Sequence, residues 1–127
     1  MVINNENFHT AGVKRQILVV DDDVVNREIL GEILKQSYSV LYAENGQQAL
    51  EIIRENQETL SLILLDLLMP VMNGKEVLKR VTEDVDLAHI PVIVLTSDQQ
   101  SEVECLSLGA IDFIPKPYPQ IDRKSVV

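Results

Sequence analysis

Acidic residues crowd behind the first short apolar run of the chain, where Ile17-Leu18-Val19-Val20 is followed at once by Asp21-Asp22-Asp23. Another carboxylate, Asp66, ends the run Leu62-Ile63-Leu64-Leu65, the hydroxyls of Thr96 and Ser97 end Val92 to Leu95, and Lys116 follows Ile111 to Ile114. Each alone has an ordinary explanation, because Asp, Ser and Thr cap helices and a lysine near a strand end is usually solvated. Four strand ends bearing carboxylates, a hydroxyl and an amine ask for more. Carboxylates held within a few ångströms repel and raise one another's pKa unless a cation sits among them. Hard oxygen donors without a nearby imidazole or thiol favour Mg²⁺, which keeps several waters and is held by few protein carboxylates plus phosphate oxygens. An aspartate beside such an ion can take a phosphoryl group as an acyl phosphate. Lys116 would then pair with one phosphate oxygen as a point charge, and Thr96 would donate a hydrogen bond to another.

Convergence of these groups requires a particular scaffold. Five short apolar runs, Ile17 to Val20, Ser39 to Ala43, Leu62 to Leu65, Val92 to Leu95 and Ile111 to Ile114, read as strands. Between them lie stretches of helical spacing: Val25, Ile29, Leu30, Ile33 and Leu34; then Ala49, Leu50, Ile52 and Ile53; then Lys75 to Val81; then Gln99 to Leu108. Asn45-Gly46 and Asn73-Gly74 punctuate helix starts, and Gly109 a helix end. Strands with no polar alternation are expected where crossover helices cover both faces of a parallel sheet. Ligands of such open sheets bind at the carboxyl ends of the strands, where the polar residues fall.

With 127 residues, 46% of them apolar, the chain suits one domain with a single core. A formal net charge of −9 argues against contact with nucleic acid, whose phosphates repel acidic surfaces. Cys105 is the only cysteine, so neither an internal disulfide nor a thiolate metal cluster is expected, and a reducing, cytoplasmic setting fits. Neither a signal peptide nor a membrane span is expected, since residues 1–14 read as a flexible polar arm and the apolar runs are short. His9 and His89 lie away from the polar strand ends, His89 as a loop or helix-end residue.

Four segments, Leu18-Val19-Val20-Asp21-Asp22, Leu65-Asp66-Leu67-Leu68-Met69-Pro70-Val71-Met72-Asn73-Gly74, Val94-Leu95-Thr96-Ser97 and Pro115-Lys116-Pro117, together resemble the receiver domains of two-component response regulators. Any one motif is weak; the four in this order, over about Ile17 to Tyr118, are specific. The resemblance implies an α/β, flavodoxin-like (CheY-like) doubly wound fold, with a five-stranded parallel sheet in the order 2-1-3-4-5. It also implies Asp66 as phosphoacceptor, and Asp21, Asp22, Asp66 and the main-chain carbonyl of Leu68 as Mg²⁺ ligands. Thr96 resembles the switch hydroxyl, Lys116 the phosphate-contacting lysine, typically followed by a cis proline (here Pro117), and Phe113 the switch aromatic, although an aromatic there serves equally as core. A phosphorylated Asp66 would draw Thr96 inwards, make room for Phe113 and shift the face around strands four and five. The implied partners are a sensor histidine kinase or phosphotransfer protein, an output domain or downstream protein, and, as an option, a second copy of the chain.

Several departures from the family pattern bear on these expectations. Asn73 stands where Asp is frequent, a conservative change for a helix cap. Leu68 and Asp98 occupy the positions that in this family modulate water access to the phosphoaspartate. Residues 15–127 form the expected domain, but after Pro119 too few residues follow for a full closing helix, so that helix is expected to be short or missing and the chain a fragment of a longer regulator. Two rival readings stand beside the receiver. Asp21-Asp22-Asp23-Val24-Val25 also fits the first motif of haloacid-dehalogenase-like phosphatases, which would give Asp66 no role. A receiver-like module acting through surface contacts alone would need no phosphate.

Overall fold

The computed structural model describes residues 15–69, 71–97 and 99–116. Strands and helices alternate: β1 (Gln16–Val20), α1 (Val24–Leu34), β2 (Ser39–Ala43), α2 (Gly46–Glu55), β3 (Leu60–Asp66), α3 (Gly74–Glu83), β4 (Val92–Thr96), α4 (Gln99–Ser107) and β5 (Asp112–Pro115). All strand pairs are parallel, and the sheet runs β2-β1-β3-β4-β5. This is the flavodoxin-like, doubly wound arrangement, in which the strand order reverses beside β1 and opens a crevice at the carboxyl edge between β1 and β3.

Each central strand buries both of its faces, which explains their lack of polar alternation. On one face, Leu18, Val20, Ile63, Leu65, Val92 and Val94 pack with Ala49, Leu50 and Ile53 of α2, Val77, Leu78 and Val81 of α3, and Cys105 of α4. On the other, Ile17, Val19, Leu64 and Leu95 pack with Leu30 of α1, and Leu34, Val40, Ile93 and Ile114 border them. The apolar stripe of α1 is narrower than its spacing suggests, because Val25 and Ile33 are exposed. No helix among the described residues is long and apolar enough to cross a membrane.

The helix ends follow from local chemistry. Asp23, Asn45 and Asn73 are the N-caps of α1, α2 and α3, their side-chain oxygens accepting from the amides of Val25, Gln48 and Glu76. Gly109 takes φ +113 after α4, with Ala110 N–H donating to the Cys105 carbonyl and Gly109 N–H to that of Leu106. That pair of bonds is a Schellman cap, and its left-handed position suits glycine. Strand β5 lies one residue later than its apolar run suggests, leaving Ile111 exposed. The expected arm at residues 1–14, Pro70, Asp98, Pro117 with its cis bond, and the shortened closing helix lie outside the described residues.

Candidate functional site

Strand ends β1, β3, β4 and β5 meet at one mouth, and their register sets which side chains meet. Asp66 closes β3 and pairs with Leu95 of β4, so that Thr96, the next residue, ends its strand beside the acidic group. Thr96 in turn pairs with Pro115 of β5, and the Lys116 amide donates to the Thr96 carbonyl at 2.9 Å. The lysine is therefore delivered by backbone pairing to the edge where Asp66 ends. Its Nζ lies 2.8 Å from Asp66 Oδ1 and 3.7 Å from Asp21 Oδ2.

Asp21, Asp22 and Asp66 offer carboxylate oxygens that all lie within 4.8 Å of one another. Asp21 and Asp66 are buried and Asp22 is exposed, so the cluster opens to solvent on one side. Asp21 is held by its backbone amide on the Ala43 carbonyl at 3.0 Å, and its Oδ1 accepts from the Asp23 amide at 2.9 Å. Asp23 itself caps α1, its side chain accepting from the Val25 amide at 2.8 Å.

Burial pushes the pKa of Asp66 up to about 6; the Lys116 hydrogen bond opposes this and the Asp21 charge adds to it. For Lys116, burial acts against the ammonium, but Asp66, through its hydrogen bond and charge, and then Asp21 and Asp22 outweigh it and hold the pKa above the ordinary range. The single charge of Lys116 does not by itself balance three carboxylates. Their hard oxygen donors, charge and opening to water suit a small divalent cation that retains part of its hydration shell. Mg²⁺ fits this donor set, and when bound it would neutralise charge on phosphoryl oxygens.

The segment after Asp66 folds back over it. Leu68 directs its amide at Asp66 Oδ1, at 3.4 Å, while its side chain is 74% exposed. The Gly74 amide bonds the Leu67 carbonyl at 2.9 Å, placing the start of α3 against the end of β3. A Cβ on Gly74 would strike the Asp66 carbonyl oxygen and come within 2.6 Å of Leu67 Cα. Close approach is what requires glycine there. The loop residue that does adopt positive φ is Val71, at 71°.

Phe113 pairs with Val94, two residues before Thr96 on the same face of the sheet, and packs half-buried against the larger core. His89 lies at the opposite edge of the sheet, its Nε2 3.1 Å from the Gln57 carbonyl oxygen, and takes no part in the site. Sequence reasoning missed Arg27, whose Nη1 donates to the Asp21 carbonyl at 2.6 Å. Its place one turn into α1, four residues after the cap, was the available signal.

Comparison with known proteins agrees with this fold. The family described as the response regulator receiver domain matches residues 17–126. A putative two-component response regulator of Arabidopsis thaliana is 37% identical over 115 residues, covering 90% of this chain and 18% of that protein. A two-component response regulator of Oryza sativa subsp. indica is 36% identical over 109 residues, covering 84% of this chain and 82% of its own length. Among solved structures, the CheX-CheY-BeF3-Mg complex of Borrelia burgdorferi aligns with a TM-score of 0.80 and 25% identity over 92% of this chain and 89% of that one. The chain spans 18%, 8% and 15% of the length of the first three curated relatives it matches. Fold, motif order and relatives agree, and the chain belongs to the family of response regulator receiver domains, the signalling domains of two-component phosphorelays.

Proposed function

We propose that this domain accepts a phosphoryl group on Asp66 from the phosphohistidine of a sensor kinase or phosphotransfer protein, and that the modification changes the surface around β4 and β5. An Asp66 carboxylate oxygen attacks phosphorus, forming the O–P bond of an acyl phosphate, while the P–N bond breaks and its electron pair returns to the imidazole. Asp21, Asp22 and Asp66, with the Leu68 carbonyl, would hold Mg²⁺. Lys116 then balances the charge of one phosphoryl oxygen and Thr96 donates its hydroxyl to another. No separate substrate is turned over, so the domain is a phosphoacceptor rather than a conventional enzyme.

The observation that carries this reading is the buried Asp66, in contact with Lys116 and within 4.8 Å of two further carboxylates at the sheet's carboxyl edge. The Borrelia complex, which contains BeF3 and Mg by its description, lends support by likeness. Movement of Thr96 towards the modified Asp66 would free space on the face that also carries Phe113, giving a route from charge to surface. The partner is a phosphohistidine protein, the output a further domain or a downstream protein, and the setting cytoplasmic.

Incubation with acetyl phosphate and Mg²⁺ tests the acceptor. The expected result is one phosphoryl group per chain by intact mass, lost on adding EDTA beforehand and absent in Asp66→Asn. Undiminished labelling of Asp66→Asn would overturn the reading.

A further inference from the structure

We infer that Arg27 is a positioning residue for the divalent-cation site, acting by fixing the peptide that joins Asp21 to Asp22. This rests on the reading of Asp21, Asp22 and Asp66 as a cation site. Arg27 lies one turn into α1 and bridges back over six residues, its Nη1 2.6 Å from the Asp21 carbonyl oxygen. Three aspartates precede it closely in sequence, yet among the described residues its guanidinium makes no ion pair with any of them. The charge is directed to a main-chain oxygen, which leaves the carboxylate oxygens of Asp21 and Asp22 to other partners.

The consequence for the site is geometric. Asp21 is fixed at its amide by Ala43, at its carboxylate by the Asp23 amide and at its carbonyl by Arg27. Asp22 has fewer constraints: it is exposed, and its backbone follows the peptide whose carbonyl Arg27 holds. Rotation of that peptide would swing the Asp22 carboxylate away from Asp21 and Asp66. Outer partners of this kind typically change metal affinity about 10- to 100-fold when removed.

Charge and position make opposite predictions, which allows a clean test. A guanidinium beside the site repels a cation, so if Arg27 contributed only charge, its removal would tighten Mg²⁺ binding. Calorimetric Mg²⁺ titrations of the wild type, Arg27→Met, Arg27→Lys and Asp22→Asn, with thermal unfolding in EDTA, separate the alternatives. Arg27→Met is expected to weaken Mg²⁺ binding by roughly 10-fold with little change in the metal-free unfolding midpoint. Arg27→Lys keeps the charge but not the planar donor, and is expected to weaken it by roughly 3-fold or more. In the Asp22→Asn background, Arg27→Met is expected to add little, because the ligand it positions is already lost. Unchanged or tighter binding in Arg27→Lys or Arg27→Met overturns the inference, as does a full effect of Arg27→Met on top of Asp22→Asn. Should Arg27→Met not fold, the Arg27→Lys arm still decides. Absence of Mg²⁺ binding in the wild type would instead overturn the underlying site.

Discussion

Asp66 and Lys116 are the residues whose chemistry is most altered by where the fold places them. A carboxylate buried at the end of β3, facing Asp21 and Asp22 and partly compensated by Lys116, is held in a state that ionisation destabilises. The folded-state pKa of about 6 lies above the ordinary 3.8, so between these values the folded protein binds more protons than the unfolded one. Stability of the metal-free protein therefore falls as pH rises from about 4 to about 6, by an amount on the order of 1 to 2 kcal/mol once solvent screening at the open side of the site is allowed for. Asp66→Asn should flatten this pH dependence and raise the unfolding midpoint at pH 7 in EDTA. Thermal melts across that range check it, and a wild-type midpoint rising from pH 4 to 6 relative to Asp66→Asn would contradict it. Mg²⁺ should restore stability to the wild type at pH 7 and much less to Asp66→Asn, because the metal is stabilised by the same ionised carboxylate.

At the level of elements, the segment between β3 and α3 carries two local constraints, one at Gly74 and one at Val71. Gly74 packs its backbone against Asp66 and Leu67, while Val71, 81% exposed, adopts a left-handed conformation that a β-branched side chain disfavours. Val71→Gly should stabilise the protein by about 0.5 to 1 kcal/mol, since relief of strain exceeds the added chain entropy. Chemical denaturation checks this, and a loss of stability would show that the valine side chain makes a compensating contact. Alternation of strands and helices was legible in the sequence because each strand contains a short apolar run and each of the first three helices begins at an Asp or Asn cap. Ile111, by contrast, belongs to the fifth apolar run but precedes β5, because only pairing with β4 decides the strand's limits. Likewise, glycine at position 74 reads in the sequence as part of a helix start, whereas its close approach to Asp66 is visible only in three dimensions. Val71 carries no sequence signal of its positive φ, and the Arg27 bond to the Asp21 carbonyl depends on the angle at which α1 leaves β1.

Across the whole molecule, strand register joins Asp66 at the end of β3 to β4 and, through β4, to β5. Asp66 pairs with Leu95, Thr96 with Pro115, and Val94 with Phe113, so displacement at the end of β4 is shared directly by β5. Phosphorylation should therefore change amide hydrogen exchange over residues 92–96 and 112–116 more than over β1 and β2. Thr96→Ala should still accept phosphate but lose most of that change; an unaltered exchange response in Thr96→Ala would place the coupling elsewhere. The central claim remains that Asp66, and not Asp21 or Asp22, carries the phosphate. Borohydride reduction of the protein labelled with acetyl phosphate and Mg²⁺ converts an acyl-phosphate aspartate to homoserine, which peptide mass spectrometry locates. Homoserine at position 66 is the predicted result, and homoserine at position 21 or 22, or none in a labelled protein, would contradict it.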